Sequence, residues 1–113
     1  TPLARETGHL RGEYVLTGND VLSARDFPDA VAHNAWPIER WEEGQGAVYR
    51  YLPDGQAHGI PLRSLRPLGG PANLLCAGAA ISAEPAAAAS LRVMGTCMAL
   101  GEAAARHCLE PAR

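Results

Sequence analysis

The chain contains 113 residues, of which 47% are apolar and 5% aromatic, and its formal net charge at pH 7 is −2; this fits one small domain or a piece of a larger one. Without a clustered basic face, a signal peptide or a bilayer-spanning apolar run, it is expected to be cytoplasmic, with neither nucleic acid nor a membrane as partner. Its three cysteines contain no Cys-x-x-Cys pair, which argues against a disulfide framework and against a zinc or iron–sulfur site formed by this chain alone.

The first 41 residues predict one short strand followed by short helical and extended segments. The β-forming residues end at a Gly-Asn-Asp turn, where Asn or Asp can cap a helix. Pro28 can begin a helical turn, whereas Pro37 disfavours a helix at the residue before it. The predicted elements are a strand at 13–17, a helix at 21–25 capped by Asn19 or Asp20, a helical turn at 29–33 and an extended segment at 36–41.

The middle of the chain predicts a β-hairpin. After a glycine-rich turn at 44–46, a strand is predicted at 47–52, and the Pro-Asp-Gly-Gln sequence at 53–56 is typical of a β-turn. The returning strand is predicted at 57–62. Pro61 would lie at the edge or the end of the sheet, because proline cannot donate a hydrogen bond to a neighbouring strand.

The last third predicts a strand, a loop and a long helix. A connector at 67–71 precedes a buried strand at 73–77, which ends at a glycine and is followed by an alanine-rich loop. A helix is predicted at 91–109, ended by Pro111, and one face of it would pack on a larger sheet that this chain does not visibly provide. The apolar positions of that face are 94, 97, 98, 101, 105 and 108. The predicted class is therefore α+β, with a small antiparallel sheet followed by one strand and one long helix.

The strand, Gly78, the loop and the helix form a unit that can bind a ligand through its backbone. Gly78 has no side chain to keep a cofactor at a distance, and the helix start directs amide N–H groups at negative charge. Such donors suit a ligand group that gains negative charge during a reaction. The alternative is an ordinary strand–helix connection that packs closely through small residues.

Two arginines are candidate ligands for substrate or cofactor. Arg63 could bind a carboxylate or carbonyl through its planar guanidinium, and Arg92 lies where the long helix starts. The alternatives are a surface position at the exit of the hairpin for Arg63 and a salt bridge that holds the loop for Arg92.

Short motifs along nearly the whole chain match one family in their order. They lie at 5–7, 12–17, 20–22, 27–32, 36–39, 60–67, 73–75, 77–78, 81–83 and 89–101. The most specific is Ala-Ser-Leu-Arg-Val-Met-Gly-Thr-Cys-Met-Ala-Leu-Gly at 89–101. The chain resembles the C-terminal segment of the FAD-dependent oxidoreductases that include the heterodisulfide reductase A-like flavoproteins.

The resemblance implies that residues 1–70 are part of a substrate or cap domain. It implies that residues 71–113 form the C-terminal strand, loop and helix of an FAD-binding α/β domain, which contacts the isoalloxazine. The activity would be hydride or electron transfer through FAD, with a small-molecule substrate bound near Arg63. The implied cofactor contacts are Gly78, Ala79, Arg92, Val93, Met94 and Gly95.

The chain departs from the family pattern at two places and lacks one motif. Ala79 stands where the family usually has arginine, and Glu84-Pro85 replaces a Thr-His pair. No Gly-x-Gly-x-x-Gly turn is present to bind the FAD pyrophosphate. An N-terminal FAD-binding half, in cis or in trans, would hold the rest of the cofactor, any iron–sulfur cluster would lie elsewhere in a full-length protein, and the isolated chain would be inactive. The alternative is a non-catalytic remnant or interaction module that has kept the fold and lost the cofactor.

Overall fold

The structure, a computed structural model, describes residues 8–71 and 73–109. Within these residues it is a small α+β domain with three α-helices and two antiparallel sheets, which confirms the predicted class. The motif at 5–7 and Pro111 lie outside the described residues. In chain order the elements are α1 (Gly18–Leu22), β1 (Ala30–Asn34), β2 (Ile38–Glu42), β3 (Gly46–Arg50), β4 (His58–Pro61), a short 3₁₀ helix (Leu62–Ser64), α2 (Pro85–Leu91) and α3 (Met94–Leu109).

The predicted hairpin over 47–62 is wrong, because its two strands belong to different sheets. β3 pairs with β2, and β4 pairs with β1. The β2–β3 turn contains Gly44 and Gly46 at φ values of +78° and +71°, a left-handed conformation that glycine adopts without strain. β4 is buried at every position, whereas β3 is half or fully exposed. Burial therefore places β4 beside β1 in the core, while the predicted turn at 53–56 and the position of Pro61 at a strand end are confirmed.

Three further predicted elements differ from the structure. Residues 13–17 form no strand and make only an isolated bridge from Leu16 to Ala83. The helical turn predicted at 29–33 is wrong, because those residues enter β1 and pair with β4. Residues 73–77 are not a buried strand, since they are half or fully exposed. Their backbone contact to the 3₁₀ region is the single bond from Cys76 N to Leu65 O at 2.8 Å, and one bond does not make a ladder.

Two short helices begin at residues that explain their position. Thr17 caps α1, since its hydroxyl accepts from the Asp20 amide while the Asp20 carboxylate accepts from the Thr17 amide, both at 3.1 Å. This reciprocal capping box starts the helix three residues earlier than predicted. α2 lies in the segment predicted as an alanine-rich loop. Pro85 at its first position and alanines along its length both favour a helix.

The predicted long helix is confirmed as α3, with its start three residues later than expected. Its buried side chains are Thr96 and Leu100. Met94 and Met98, which belong to the predicted apolar face, are 78% and 69% exposed. That face points to solvent in the described part of the chain, while the opposite face joins the core. The largest fully buried apolar side chains are Leu16, Val21, Ile60, Leu65, Ile81, Leu91 and Leu100.

Candidate functional site

The junction between α2 and α3 contains four of the six residues predicted to contact the cofactor. Arg92 caps the end of α2, and its backbone N–H donates to Ala88 O at 3.1 Å. Because α3 begins two residues later, the amides of its first turn have no intrahelical acceptor. Met94 and Gly95 are exposed, and a Cβ added at Gly95 would meet nothing within 4 Å. With no acidic side chain in the first turn, the start of α3 is an open, positively polarised helix end.

Two side-chain contacts attach this junction to the two sheets. Arg92 Nη2 donates to the backbone carbonyl of Glu39 in β2 at 2.9 Å. Thr96 Oγ1 donates to Asn34 Oδ1 in β1 at 2.7 Å. Arg92 therefore holds the junction on β2, so part of the guanidinium expected to reach the cofactor is already engaged.

A buried polar cluster continues from Thr96 into the core. Its members Asn34, His58, Ser90 and Thr96 are each at most 8% exposed. Asn34 Nδ2 donates to Ser90 Oγ at 2.7 Å and lies 3.0 Å from His58 Nε2, and Ser90 Oγ donates to Trp36 O at 2.6 Å. Burial lowers the pKa of His58 below its ordinary value of 6.5. The cluster thus joins β1, β4, α2 and α3 around an imidazole that is neutral at pH 7.

Gly78 and Ala79 lie in a loop that is attached to other parts of the chain. Gly78 has a φ of +89°, and a Cβ added there would meet nothing within 4 Å, so its glycine is explained by backbone conformation alone. The carbonyl of Ala80, the residue after Ala79, accepts a hydrogen bond from Leu10 N at 2.8 Å. Among residues 8–71 and 73–109, no hydrogen bond joins Gly78 or Ala79 to residues 92–95. The structure therefore shows one compact group of candidate residues at the junction and a separate glycine loop.

Arg63, the predicted substrate ligand, is paired within the chain. Its Nε and Nη2 donate to the two carboxylate oxygens of Asp29 at 3.0 and 3.2 Å, and its guanidinium lies 5.0 Å from the centre of the Tyr14 ring. The hydrogen bonds from Arg63 hold the pKa of Asp29 below its ordinary value. The Arg63 guanidinium was expected to bind a substrate carboxylate, but it is already paired with the carboxylate of Asp29.

Glu84 and Pro85, which replace the family's Thr-His pair, have structural roles. Glu84 is the residue before α2, and its side chain accepts a hydrogen bond from the amide of Gly18 in α1. Its own amide donates to Leu16 O at 2.9 Å. Pro85 then starts the helix. These two residues therefore position α2 against α1 and contribute no proton donor at the candidate site.

Sequence reasoning missed the buried cluster of Asn34, His58, Ser90 and Thr96. These residues are separated by up to 62 positions along the chain. Ser90 and Thr96 belong to the motif at 89–101, but Asn34 lies between the predicted segments at 29–33 and 36–41, and His58 lies in the predicted strand at 57–62. Only the antiparallel pairing of β1 with β4 places Asn34 and His58 opposite each other.

Within 8–71 and 73–109, no three His, Cys, Asp or Glu side chains lie close enough together to hold a metal ion. None of the helices in these residues has the length and hydropathy needed to cross a bilayer.

Comparison with known proteins gives one clear result. The model of the family described as FAD dependent oxidoreductase matches residues 1–109. The chain therefore belongs to this family of flavin-dependent oxidoreductases. No curated protein and no solved structure gives a significant match.

The residues at the junction fit one part of an FAD molecule. The open helix end offers backbone donors and has no acidic side chain in its first turn, which suits a carbonyl that gains negative charge. The glycine at position 95 leaves space for a flat ring to approach. The chain has no glycine-rich turn for the pyrophosphate. The residues present therefore suit the ring end of such a cofactor better than its pyrophosphate.

Proposed function

We propose that this chain is the C-terminal portion of an FAD-dependent oxidoreductase of the heterodisulfide reductase A-like kind, and that the start of α3 contacts the isoalloxazine. The observation that carries this proposal is the family match over residues 1–109. It is supported by the open, acid-free first turn of α3, in which Gly95 leaves the backbone accessible.

In this proposal the backbone amides of Val93, Met94 and Gly95 donate toward the pyrimidine carbonyl of the flavin. The partial positive charge of the helix end stabilises the electron density that accumulates there on reduction. Arg92 adds a fixed positive charge beside the ring, held in place by its bond to Glu39 O. When bound, FAD supplies hydride or electron transfer, and the chain supplies orientation and electrostatics.

The remaining parts of the proposal concern the division of labour along the chain. Residues 1–70 would belong to a substrate or cap domain and residues 71–113 to the FAD-binding domain. An N-terminal half, in cis or in trans, would bind the pyrophosphate and adenosine, and the substrate would be a small molecule. A substrate carboxylate could reach Arg63 only by displacing Asp29, because the two are already joined through two hydrogen bonds.

The proposal is tested by FAD binding to the complete flavoprotein, assembled from this chain and its N-terminal half. Gly95→Asp places a carboxylate in the first turn of α3, where it suits the helix dipole but repels the electron-rich flavin carbonyl. Gly101→Asp makes the same change farther along the same helix, at a site that is equally open. We expect G95D to weaken FAD binding by about tenfold or more, since the carboxylate would lie beside the electron-rich carbonyl and repel it. G101D should bind FAD as the unaltered protein does, and equal affinities for all three proteins would contradict the proposal.

The second candidate function is the non-catalytic remnant or interaction module. It is favoured by the internal pairing of Arg63 with Asp29 and by the structural role of Glu84-Pro85. Ala79 also supplies no cation in the glycine loop. If the complete protein is purified without colour and does not take up added FAD, this second function replaces the first.

A further inference from the structure

The proton positions in the buried cluster are determined by two backbone carbonyls at its ends. A carbonyl can only accept, so Ser90 Oγ must donate to Trp36 O at 2.6 Å. Ser90 Oγ has then used its proton, and it accepts from Asn34 Nδ2 at 2.7 Å. The amide group of Asn34 is thereby oriented, with Nδ2 toward Ser90 and Oδ1 toward Thr96, whose hydroxyl donates to it at 2.7 Å.

The same reasoning assigns the tautomer of His58. His58 Nδ1 lies 2.9 Å from Gly59 O and must carry a proton to bond with it. His58 Nε2 lies 3.0 Å from Asn34 Nδ2, which is a donor, so Nε2 must be the unprotonated acceptor. A second proton on the ring would place two donors against each other across the β1–β4 pair. Because Asn34 is held by Ser90 and Thr96 as well, its amide cannot turn over without losing those bonds.

We propose that Asn34 and His58 are positioning residues that hold the α2–α3 junction in place while the His58 ring is neutral, and that protonation of this ring releases the junction. Ser90 belongs to the last turn of α2 and Thr96 to the first turn of α3. The two hydroxyls therefore bond to Asn34 from the two sides of the junction. Disruption at Asn34 removes its bonds to both hydroxyls together, and the contacts that then remain are those of Ser90 with Trp36 O and of Arg92 with Glu39 O. The segment released by protonation would be Arg92 to Gly95. Only the link between this release and flavin binding rests on the proposed function.

The groups that face His58 agree with a neutral resting state. The Asn34 amide of β1 faces His58 directly, and the hydroxyls of Ser90 on α2 and Thr96 on α3 are bonded to that amide. The charged or titratable groups that act on it are Asp20 of α1, which favours the protonated ring, and His33 of β1, which opposes it. Burial outweighs the hydrogen bond to Gly59 O and the charge of Asp20, so the pKa of His58 lies below its ordinary value of 6.5. The neutral ring stabilises the fold fully above that ordinary value, and this stabilisation is lost as the pH falls from there through the lowered pKa.

The test is amide hydrogen exchange of the full chain, expressed as protection relative to the intrinsic rate at each pH. The reporting amides are Arg92 and Cys97, which are hydrogen-bonded at 3.1 and 3.0 Å on either side of the junction. The reference amide is Cys76, which donates to Leu65 O in another part of the chain. Between about pH 7.5 and pH 4.5, we expect protection of the reporting amides to fall by about tenfold or more relative to the reference.

Two glutamine variants separate this inference from a general effect of acid. His58→Gln provides an amide oxygen that can accept from Asn34 and does not titrate, so the acid-dependent loss should disappear. His33→Gln is the matched control, since His33 is an exposed ring on the neighbouring strand that pairs with Asp26 at 3.2 Å; it should keep the loss. An H58Q protein that still loses protection at low pH, or equal losses at all three amides of the unaltered chain, would overturn the inference.

A measurement on the unaltered chain keeps the inference testable if H58Q does not fold. The ¹⁵N shifts of the His58 ring at neutral pH should report a proton on Nδ1 and none on Nε2, and the opposite tautomer would refute the inference. Neither measurement uses flavin. Acid could therefore be shown to release the junction even if the protein binds no FAD. Conversely, if this inference fails, the comparison of FAD binding by G95D and G101D still tests the proposed function.

Discussion

Arg63 and Asp29 face each other through two parallel hydrogen bonds, from Nε to Oδ2 at 3.0 Å and from Nη2 to Oδ1 at 3.2 Å. The amide of Arg63 also donates to Asp29 Oδ2 at 3.3 Å. This pair joins the loop before β1 to the 3₁₀ helix after β4, so it closes the β1–β4 sheet at the end where Ala30 pairs with Pro61. Arg63, which the sequence indicated as a ligand for substrate, therefore forms an ion pair that links two segments of the fold.

Removing the ion pair between Arg63 and Asp29 should destabilise the fold. For Arg63→Ala we expect the free energy of unfolding to fall by about 1 kcal/mol, the upper end for a partly exposed ion pair, as measured by urea denaturation. The matched control is Arg106→Ala, which breaks the exposed pair with Glu102 on α3 and should change stability by less than about 0.5 kcal/mol. Equal effects of the two substitutions would contradict the structural role of Arg63.

The same pair predicts a pH dependence in acid. Hydrogen bonds from Arg63 hold the pKa of Asp29 below its ordinary value of 3.8. A lowered pKa means that the stabilisation is present above the ordinary value and is lost as the pH falls through the lowered one. The acid-induced loss of stability below about pH 4 should therefore be smaller in Arg63→Ala than in the unaltered chain. Unfolding curves recorded at several pH values measure this, and parallel profiles for the two proteins would contradict it.

The orientation of α3 can be tested with two substitutions that are two residues apart and therefore lie on opposite faces of the helix. Leu100 is fully buried and Met98 is 69% exposed. Leu100→Ala should lower the free energy of unfolding by about 2–5 kcal/mol, because it leaves a cavity in the core. Met98→Ala should change it by less than about 0.5 kcal/mol. Thermal and urea unfolding of both variants decide between the faces, and a larger loss for Met98→Ala would mean that the helix is turned the other way.

Two glycines should respond in opposite directions to alanine. A Cβ at Gly12 would lie 2.6 Å from Ser82 Cβ and 3.1 Å from the carbonyls of Arg63 and Arg66, so Gly12→Ala should destabilise the chain by about 1–3 kcal/mol through overpacking. Gly101 lies in α3, where a Cβ would meet nothing within 4 Å. Gly101→Ala should stabilise by about 0.5–1 kcal/mol, because alanine favours the helix. Melting temperatures of the two variants that shift in the same direction would contradict this.

The capping box at the start of α1 predicts a further loss. Thr17 Oγ1 accepts from Asp20 N at 3.1 Å, so Thr17→Ala should cost about 1 kcal/mol of stability. Ser23→Ala is the control at the other end of α1, where the hydroxyl donates to Asn19 O at an exposed position; its effect should stay below about 0.5 kcal/mol. Chemical denaturation of both variants checks the prediction, and an unaffected Thr17→Ala protein would contradict the cap.

The elements that were predicted well are those specified by nearby residues. The long helix, the glycine turn at 44–46 and the Pro-Asp-Gly turn at 53–56 depend on side chains within a few positions of one another. The start of α1 was predicted less well, because Asn19 and Asp20 are equally good caps by composition and Thr17 completes the reciprocal bonds. α2 was missed since alanine was interpreted as filling a loop, although it is the strongest helix former.

The local geometry of the candidate segment was predicted in part, and its role as a cofactor site stays a prediction. The residues at 92–95 do form one open helix end, because glycine and the absence of acidic residues are local properties of that segment. The engagement of Arg92 by Glu39 O and of Arg63 by Asp29 could not be foreseen, because each contact joins residues more than 30 positions apart. The same distance in sequence hid Asn34 and His58, which become partners only when β1 pairs with β4.

The sequence by itself determined the α+β class and the family, because motif order and helix periodicity are properties of the linear chain, whereas the flavin contacts that it indicates at 92–95 stay a prediction. Only the tertiary structure decided which strands pair, which face of α3 is buried and which polar groups are already engaged. Strand pairing follows the burial that each strand can achieve, and β4 is buried at every position while β3 is not. Burial and hydrogen-bond partners are shared between distant segments, so they exist only once those segments have come together.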